Sequence, residues 1–207
     1  LDAGVYHFDP SSMALDLLRE GDYRPVVAEA TGGQEQIAHA PAVLVASDVY
    51  YRNACKYQAR AYRHAYWDSG TLLSHSLSVA GSLDLPHQLV MGFEDQALNR
   101  LLDLDEDQEY SLALLSLGWD PEPVSAQDLP LPSLDMETEP IADEVQIFPE
   151  IIKIHRASCL PSGEAARSWR RASLDPTKQA LQGELIPLDP LPASKVPQDG
   201  LGAVIRR

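Results

Sequence analysis

Twelve of the sixteen prolines in this chain follow Gly118, and this uneven distribution separates two parts that cannot fold in the same way. Residues 119–152 also carry nine carboxylates and no Lys or Arg. Proline removes a backbone donor and like charges repel, so both features oppose compact helices and sheets. We therefore expect a folded body over residues 1–118 and an acidic, proline-rich extension over residues 119–200.

Two patterns in the first third of the body predict regular structure. Ser11 or Ser12 can cap a helix that runs over residues 14–18 and stops at Gly21. Farther along, the apolar run AVLVA at residues 42–46 lies between a proline and a serine, which is typical of a buried strand.

Residues 50–83 predict one long helical zone that ends before Pro86. Small residues dominate residues 69–82, so we expect this part to pack deeply, in an interface with a second folded unit. The first part places four cations on one helix face. The cations are Arg52, Lys56, Arg60 and Arg63. They either meet a phosphate or an acidic partner or, as we favour, pair with the chain's own carboxylates.

The end of the body predicts a strand over residues 87–92, a helix over residues 97–102 and a strand over residues 110–117. The last of these, YSLALLSL, is apolar on both faces, as expected of a central strand covered by helices. The predicted fold class is therefore α+β, a sheet covered by helices.

Within the extension, residues 149–171 have apolar anchors and mixed charge. We predict short helices over residues 151–158 and 162–171, with Trp169 as the anchor that docks this connector on the body. Trp67 and Asp68 are interpreted as a core residue and a helix-start residue.

Composition excludes several functions. The net charge of −15 argues against binding to nucleic acid or to an anionic membrane. Cys55 and Cys159 could pair, but so few cysteines favour buried thiols in a reducing, cytoplasmic setting. No Cys-x-x-Cys or His-x-x-x-His spacing occurs, so the sequence predicts no metal site. The Gly-x-Ser-x-Gly motif of serine hydrolases is also missing, which argues against that class of enzyme.

Several short segments, taken in order, resemble one enzyme family. They are YRH at 62–64, YWDSG at 66–70, LVMGF at 89–93 and NRLL at 99–102. This set resembles the second half of a nitroreductase-fold, FMN-dependent oxidoreductase, and is most similar to SagB-type dehydrogenases. The resemblance implies that residues 1–118 are the C-terminal part of a nitroreductase-like domain. It also implies that residues 201–207 begin a second such domain, after the connector.

The resemblance assigns cofactor contacts to Leu89, Val90, Met91 and Gly92, whose backbone would lie against the flavin ring. Gly92 suits this role because a residue without a Cβ lets the backbone approach a flat ligand. Met91 stands where many relatives have glycine or an acidic residue. Arg207 would be the first phosphate-binding arginine of the following domain. No single catalytic side chain is implied.

The function implied is hydride transfer through FMN, with NAD(P)H or an organic substrate as the electron donor. The partners implied are a second nitroreductase-like domain or a homodimer partner, and a small-molecule or peptide substrate. An alternative remains open, namely a non-catalytic scaffold or interaction module without flavin. The incomplete arginine motif and Met91 favour that alternative, whereas Gly92 favours the enzyme.

Overall fold

The computed structural model describes residues 1–134 and 145–173. They form a three-stranded sheet with helices on both faces and a separate two-stranded hairpin. This arrangement confirms the predicted α+β class. The elements are β1 (Gly4–Asp9), β2 (Ala14–Glu20), α1 (Arg24–Ala30), α2 (Glu35–Ala38), β3 (Ala42–Val49), α3 (Tyr51–Tyr57), α4 (Ala61–Ser82), β4 (His87–Val90), α5 (Asp95–Leu102), β5 (Glu109–Leu117), α6 (Pro149–Ser158) and α7 (Gly163–Ser173).

The three-stranded sheet has the order β3-β5-β4, and both pairings are antiparallel. The central strand β5 is buried along nearly its whole length, as its continuous apolar sequence predicts. Leu114 packs on one face with α1 and α5, whereas Leu115 packs on the other face with α4. Because successive strand side chains alternate, this one strand supplies the centre of both helix–sheet layers.

Residues 14–20 form strand β2 and not the predicted helix. The two serines do not cap a helix, because Asp9 accepts hydrogen bonds from the backbone N–H and hydroxyl of both Ser11 and Ser12. These donors lower the pKa of Asp9. The chain then reverses at Met13, where φ is 55°, and β2 pairs antiparallel with β1.

The predicted long helix is broken. Gln58, with φ of 52°, ends α3, and a short 3-10 turn over Gln58–Arg60 leads into α4. The four cations therefore do not share one helix face. Lys56 lies near the ring of Tyr57, and Arg63 lies near the ring of Trp67.

Helix α4 crosses the sheet but leaves much of its apolar surface uncovered within the described residues. In the small-residue part, Leu73 and Ala80 are buried, whereas Leu72 and Val79 are 56% and 58% exposed. Trp67 is 54% exposed and lies inside α4, so its interpretation as a core residue was wrong. No helix in the described ranges is long and apolar enough to cross a membrane.

The extension lies against the body as far as it is described. Asp120, Val124 and Gln127 donate backbone hydrogen bonds to carbonyls in or beside α1 and α2. Arg19, 6% exposed, donates to the carbonyl of Pro132 at 2.7 Å and to that of Leu101 at 2.8 Å. Residues 119–134 thus contain no helix or strand, and they lie against the body, whereas a solvated arm was expected.

The two connector helices occur where they were predicted, as α6 and α7. Ile151 is fully buried, whereas Ile154 is 49% exposed, so Ile151 anchors α6 on the body and Ile154 does not. The predictions that fall on residues 135–144 and 174–207, among them Arg207 and the second domain start, lie outside the described residues.

Candidate functional site

The four predicted site residues at 89–92 are contiguous, but strand β4 ends at Val90, so Met91 and Gly92 lie just beyond the strand that was predicted to include them. Leu89 is half-buried against the α4 side of the sheet, and Val90 is buried against the α1 and α5 side. Met91 is 45% exposed, and Gly92 is buried. The strand therefore anchors this segment firmly and leaves the Met91 side chain at the surface.

Gly92 is covered by the connector. A Cβ at this position would lie 2.7 Å from Cε3 of Trp169, so the indole rests directly against the backbone. Arg170 donates a hydrogen bond to the Gly92 carbonyl at 3.4 Å. The missing side chain thus has a clear structural consequence, because it lets a flat aromatic ring reach the main chain.

Helix α7 is held in this position by close backbone contact at its start. A Cβ at Gly32, where φ is +64°, would lie 2.2 Å from the Gly163 carbonyl oxygen. Arg167 adds a hydrogen bond from Nε to the Gly32 carbonyl at 2.9 Å. Two glycines therefore permit the approach that brings Trp169 onto Gly92.

Helix α7 also concentrates positive charge beside the strand end. Burial and the neighbouring guanidinium groups of Arg167 and Arg171 lower the pKa of Arg170. One of these neighbours, Arg167, lies 3.7 Å from the exposed carboxylate of Glu164. The helix thus presents an indole and several cations to the same region of the molecule.

A second group of polar side chains lies where α6 ends and α5 begins. One potential ligand atom from each of Asp95, His155 and Cys159 lies within 4.8 Å of the other two. The His155 ring is 4% exposed and stacks on Tyr110, with centroids 3.8 Å apart. Cys159 Sγ lies 3.5 Å from His155 Nε2.

The electrostatics of this group do not suit a nucleophilic cysteine. Burial, with the adjacent Asp95 carboxylate, raises the pKa of Cys159 to about 12. Burial lowers the pKa of His155. An activated thiol needs the opposite conditions, because its thiolate must be stabilised by a neighbouring positive charge. A Cys–His catalytic pair is therefore disfavoured in this environment.

Sequence reasoning identified the strand end but not the Asp95, His155 and Cys159 group. Asp95 precedes the other two by about sixty residues, so only the docking of α6 brings them together. The available signal was the four-residue spacing of His155 and Cys159, which places both at one side of a helix end. Both cysteines are free, and Cys55 is exposed and not buried as expected.

The comparisons with known proteins agree with this architecture. The sequence model of the Nitroreductase family matches residues 7–119, more than half of the chain. The chain is 25% identical over 103 residues to the microcin B17-processing protein McbC of Escherichia coli, covering 49% of this chain and 38% of McbC.

Two solved structures extend the comparison. A crystal structure from Anabaena variabilis, assigned as a nitroreductase, has a TM-score of 0.61 at 26% identity and covers 77% of this chain and 33% of that one. The Escherichia coli McbBCD microcin synthetase complex, with truncated pro-MccB17 bound, has a TM-score of 0.50 at 24% identity and covers 55% of this chain and 43% of that one. The second likeness shows the fold alone.

The chain spans less than half the length of each of these three proteins. The family match itself runs from within β1 to just past β5, so it includes the whole sheet and the strand end at Gly92. On this evidence the chain belongs to the Nitroreductase family.

Proposed function

We propose that this chain is part of an FMN-dependent oxidoreductase, similar to the SagB-type dehydrogenases, that transfers hydride through the flavin. Family membership and the similarity to McbC support an oxidoreductase. The observation that carries the cofactor assignment is Gly92 itself, because a position without a Cβ just after strand β4 lets the main chain approach a flat ring.

The absence of a side chain at Gly92 supports contact with the ring part of FMN. In this structure the Trp169 indole lies against Gly92, with its Cε3 atom 2.7 Å from where a Cβ would be. Trp169 must therefore move, or lie beside the flavin, when the cofactor binds. Contact with the phosphate is proposed for Arg207, which the resemblance places in the arginine motif of a following domain.

The protein's part in the reaction is to hold and orient. Bound FMN supplies the hydride chemistry, and NAD(P)H is the proposed electron donor. The main chain of this segment would hold the ring, through Leu89, Val90, Met91 and Gly92. The side chains of Leu89 and Val90 pack on opposite faces of the sheet and so fix the position of that main chain. The exposed Met91 side chain contributes no charge to tune the flavin.

The test is FMN binding to the longer protein that contains this chain, with flavin absorbance and quenching of flavin fluorescence as readouts. We expect the longer protein to copurify with FMN and residues 1–207 alone to bind it poorly. Gly92→Val should weaken binding, because a branched side chain would separate the ring from the main chain. The substitution belongs in a Trp169→Ala background, where the clash with the indole is removed.

Gly70→Val in the same background is the matched control, because Gly70 has no neighbouring atom within 4 Å of an added Cβ. Equal loss of FMN binding in both variants would remove Gly92 from the site. A colourless longer protein whose solution does not quench added FMN would remove the cofactor itself.

The alternative is a non-catalytic scaffold without flavin. Its supporting observation is that Trp169 covers Gly92, the position where the flavin ring is proposed. If the Trp169→Ala variant of the longer protein also fails to bind FMN, the scaffold becomes the better assignment.

The McbC relative belongs to an assembly of several subunits, and the exposed apolar surface of α4 supports a second nitroreductase-like unit as partner here. We propose a small-molecule or peptide substrate, and a cytoplasmic location supported by two unpaired cysteines.

A further inference from the structure

The convergence of Asp95, His155 and Cys159 is a feature that flavin chemistry does not use. Their potential ligand atoms lie within 4.8 Å of one another, and the His155 ring is held in place by stacking on Tyr110. We propose that these three side chains form a binding site for a zinc-class divalent cation, which joins the end of α6 to the start of α5.

The spacing of the sulfur and nitrogen atoms matches ligands of one tetrahedral metal. Bonds of about 2.3 Å from zinc to sulfur and about 2.05 Å to nitrogen, at the tetrahedral angle, put the two ligand atoms about 3.5 Å apart. Cys159 Sγ and His155 Nε2 are 3.5 Å apart. A shift of about 1 Å brings a carboxylate oxygen of Asp95 to a similar spacing.

Hydrogen bonding alone leaves this group incompletely satisfied. The Cys159 thiol has one proton, yet His155 Nε2, the His155 carbonyl at 3.3 Å and the Asp95 carboxylate are all near it. His155 Nδ1, which is buried and has no hydrogen-bond partner among the described residues, would carry the ring proton and leave Nε2 free to bind a cation, but the cation would not supply Nδ1 with a partner. A cation in place of the proton would contact sulfur, nitrogen and carboxylate oxygen together.

The donor set selects the class of metal. Magnesium and calcium prefer oxygen ligands, whereas a thiolate with an imidazole and a carboxylate suits zinc. Three protein ligands leave a fourth position for water. Asp95 and Cys159 are both partly exposed, so an ion can reach the site. The sequence predicted no metal site because it has no Cys-x-x-Cys or His-x-x-x-His pair, whereas this site combines a His-x-x-x-Cys pair with an aspartate from a distant segment.

The cation would reinforce a junction that already exists. Asp95 Oδ2 accepts a hydrogen bond from the Leu160 backbone N–H at 2.8 Å, and Leu160 pairs with Glu94 in an isolated bridge. The metal would therefore fix the connector on the body immediately before α7.

The test uses residues 1–207 and added cobalt(II), a coloured substitute for zinc. We expect one equivalent of cobalt to bind with a thiolate-to-metal charge-transfer band, and zinc to displace it. Cys159→Ser should abolish the band, and Asp95→Asn should weaken binding at least about tenfold, since even outer-sphere substitutions at metal sites cost that much. Cys55→Ser is the matched control and should keep the band.

A second measurement needs no variant. Zinc should slow alkylation of Cys159 and leave that of the exposed Cys55 unchanged, as followed by mass spectrometry of the same sample. The proposal is overturned if cobalt gives no charge-transfer band with the folded wild-type chain. It is also overturned if the band survives Cys159→Ser, or if zinc protects both thiols equally.

Discussion

Asp48 shows how a single side chain can reduce the stability of this fold. It lies in β3, and its buried Oδ2 has no hydrogen-bond partner among the described residues. Burial, followed by the charges of Asp68 and Glu109, raises its pKa to about 6. Because the folded state holds this proton more tightly than the unfolded state, folding stability must fall as pH rises from about 4 to about 6.

Asp48→Asn should therefore stabilise the protein at pH 7. The gain should be about 1 kcal/mol, since solvent screens a carboxylate that is partly exposed. The variant should also lose most of the decrease in stability between about pH 4 and pH 6. Urea unfolding across this range provides the measurement, with Asp16→Asn, an exposed carboxylate of β2, as the control. An Asp48→Asn profile that overlays the wild-type profile would contradict the assignment.

At the scale of elements, the sequence predicted those whose apolar pattern is continuous and missed those that depend on polar contacts. Strands β3 and β5 follow from the apolar runs AVLVA and YSLALLSL. The central strand β5 is buried as expected, whereas the edge strand β3 is mostly half-buried. Strand β2 was missed because Ser11 and Ser12 resemble helix caps, whereas they donate to Asp9 in a turn. The break at Gln58 has no glycine or proline to mark it.

The apolar groove beside α4 is the element-scale feature that needs a partner. Its lining is Leu44, Leu72, His75, Ser76, Val79, Ala80, Leu83, Leu85, Leu115 and Leu117. If a second nitroreductase-like unit covers this α4 groove, the isolated chain should self-associate or bind an apolar dye. Val79→Glu should weaken self-association at least about tenfold, because burying one such side chain contributes roughly 1.5–3 kcal/mol.

Light scattering over a concentration series measures this effect. Ser78→Glu adds the same charge at an exposed α4 position that does not line the groove, and it should leave association unchanged. A wild-type chain that stays monomeric and binds no dye would rule out the partner surface.

At the scale of the whole molecule, the sequence could predict only the part of the site that lies in one contiguous segment. Residues 89–92 are contiguous at the end of β4 and just beyond it, so their resemblance to a flavin-contacting segment was visible in the sequence. The position of Trp169 on Gly92 and the meeting of His155 with Asp95 depend on how the connector docks. That docking rests on backbone contacts of Gly32 and Gly163, which no apolar pattern reveals.

The backbone contacts of Gly163 should hold the connector on the body. A Cβ at Gly163 would lie 2.0 Å from the Glu29 carbonyl oxygen, so Gly163→Ala forces two backbones apart. We expect it to lower the free energy of unfolding by about 1–3 kcal/mol. Gly70→Ala, in open space within α4, should instead raise it by about 0.5–1 kcal/mol, because alanine favours helix more than glycine does.

Urea unfolding gives both changes, and limited proteolysis shows where the effect lies. Residues 149–171 should resist cleavage in the wild-type chain and in Gly70→Ala, because Ile151 is fully buried in the body and Trp169 rests on Gly92. In Gly163→Ala, the protease should cut between α6 and α7, since α7 can no longer approach Gly32. Equal stability and equal protection in Gly163→Ala would mean that the connector does not dock through these glycines, and the covering of Gly92 by Trp169 would then lose its structural basis.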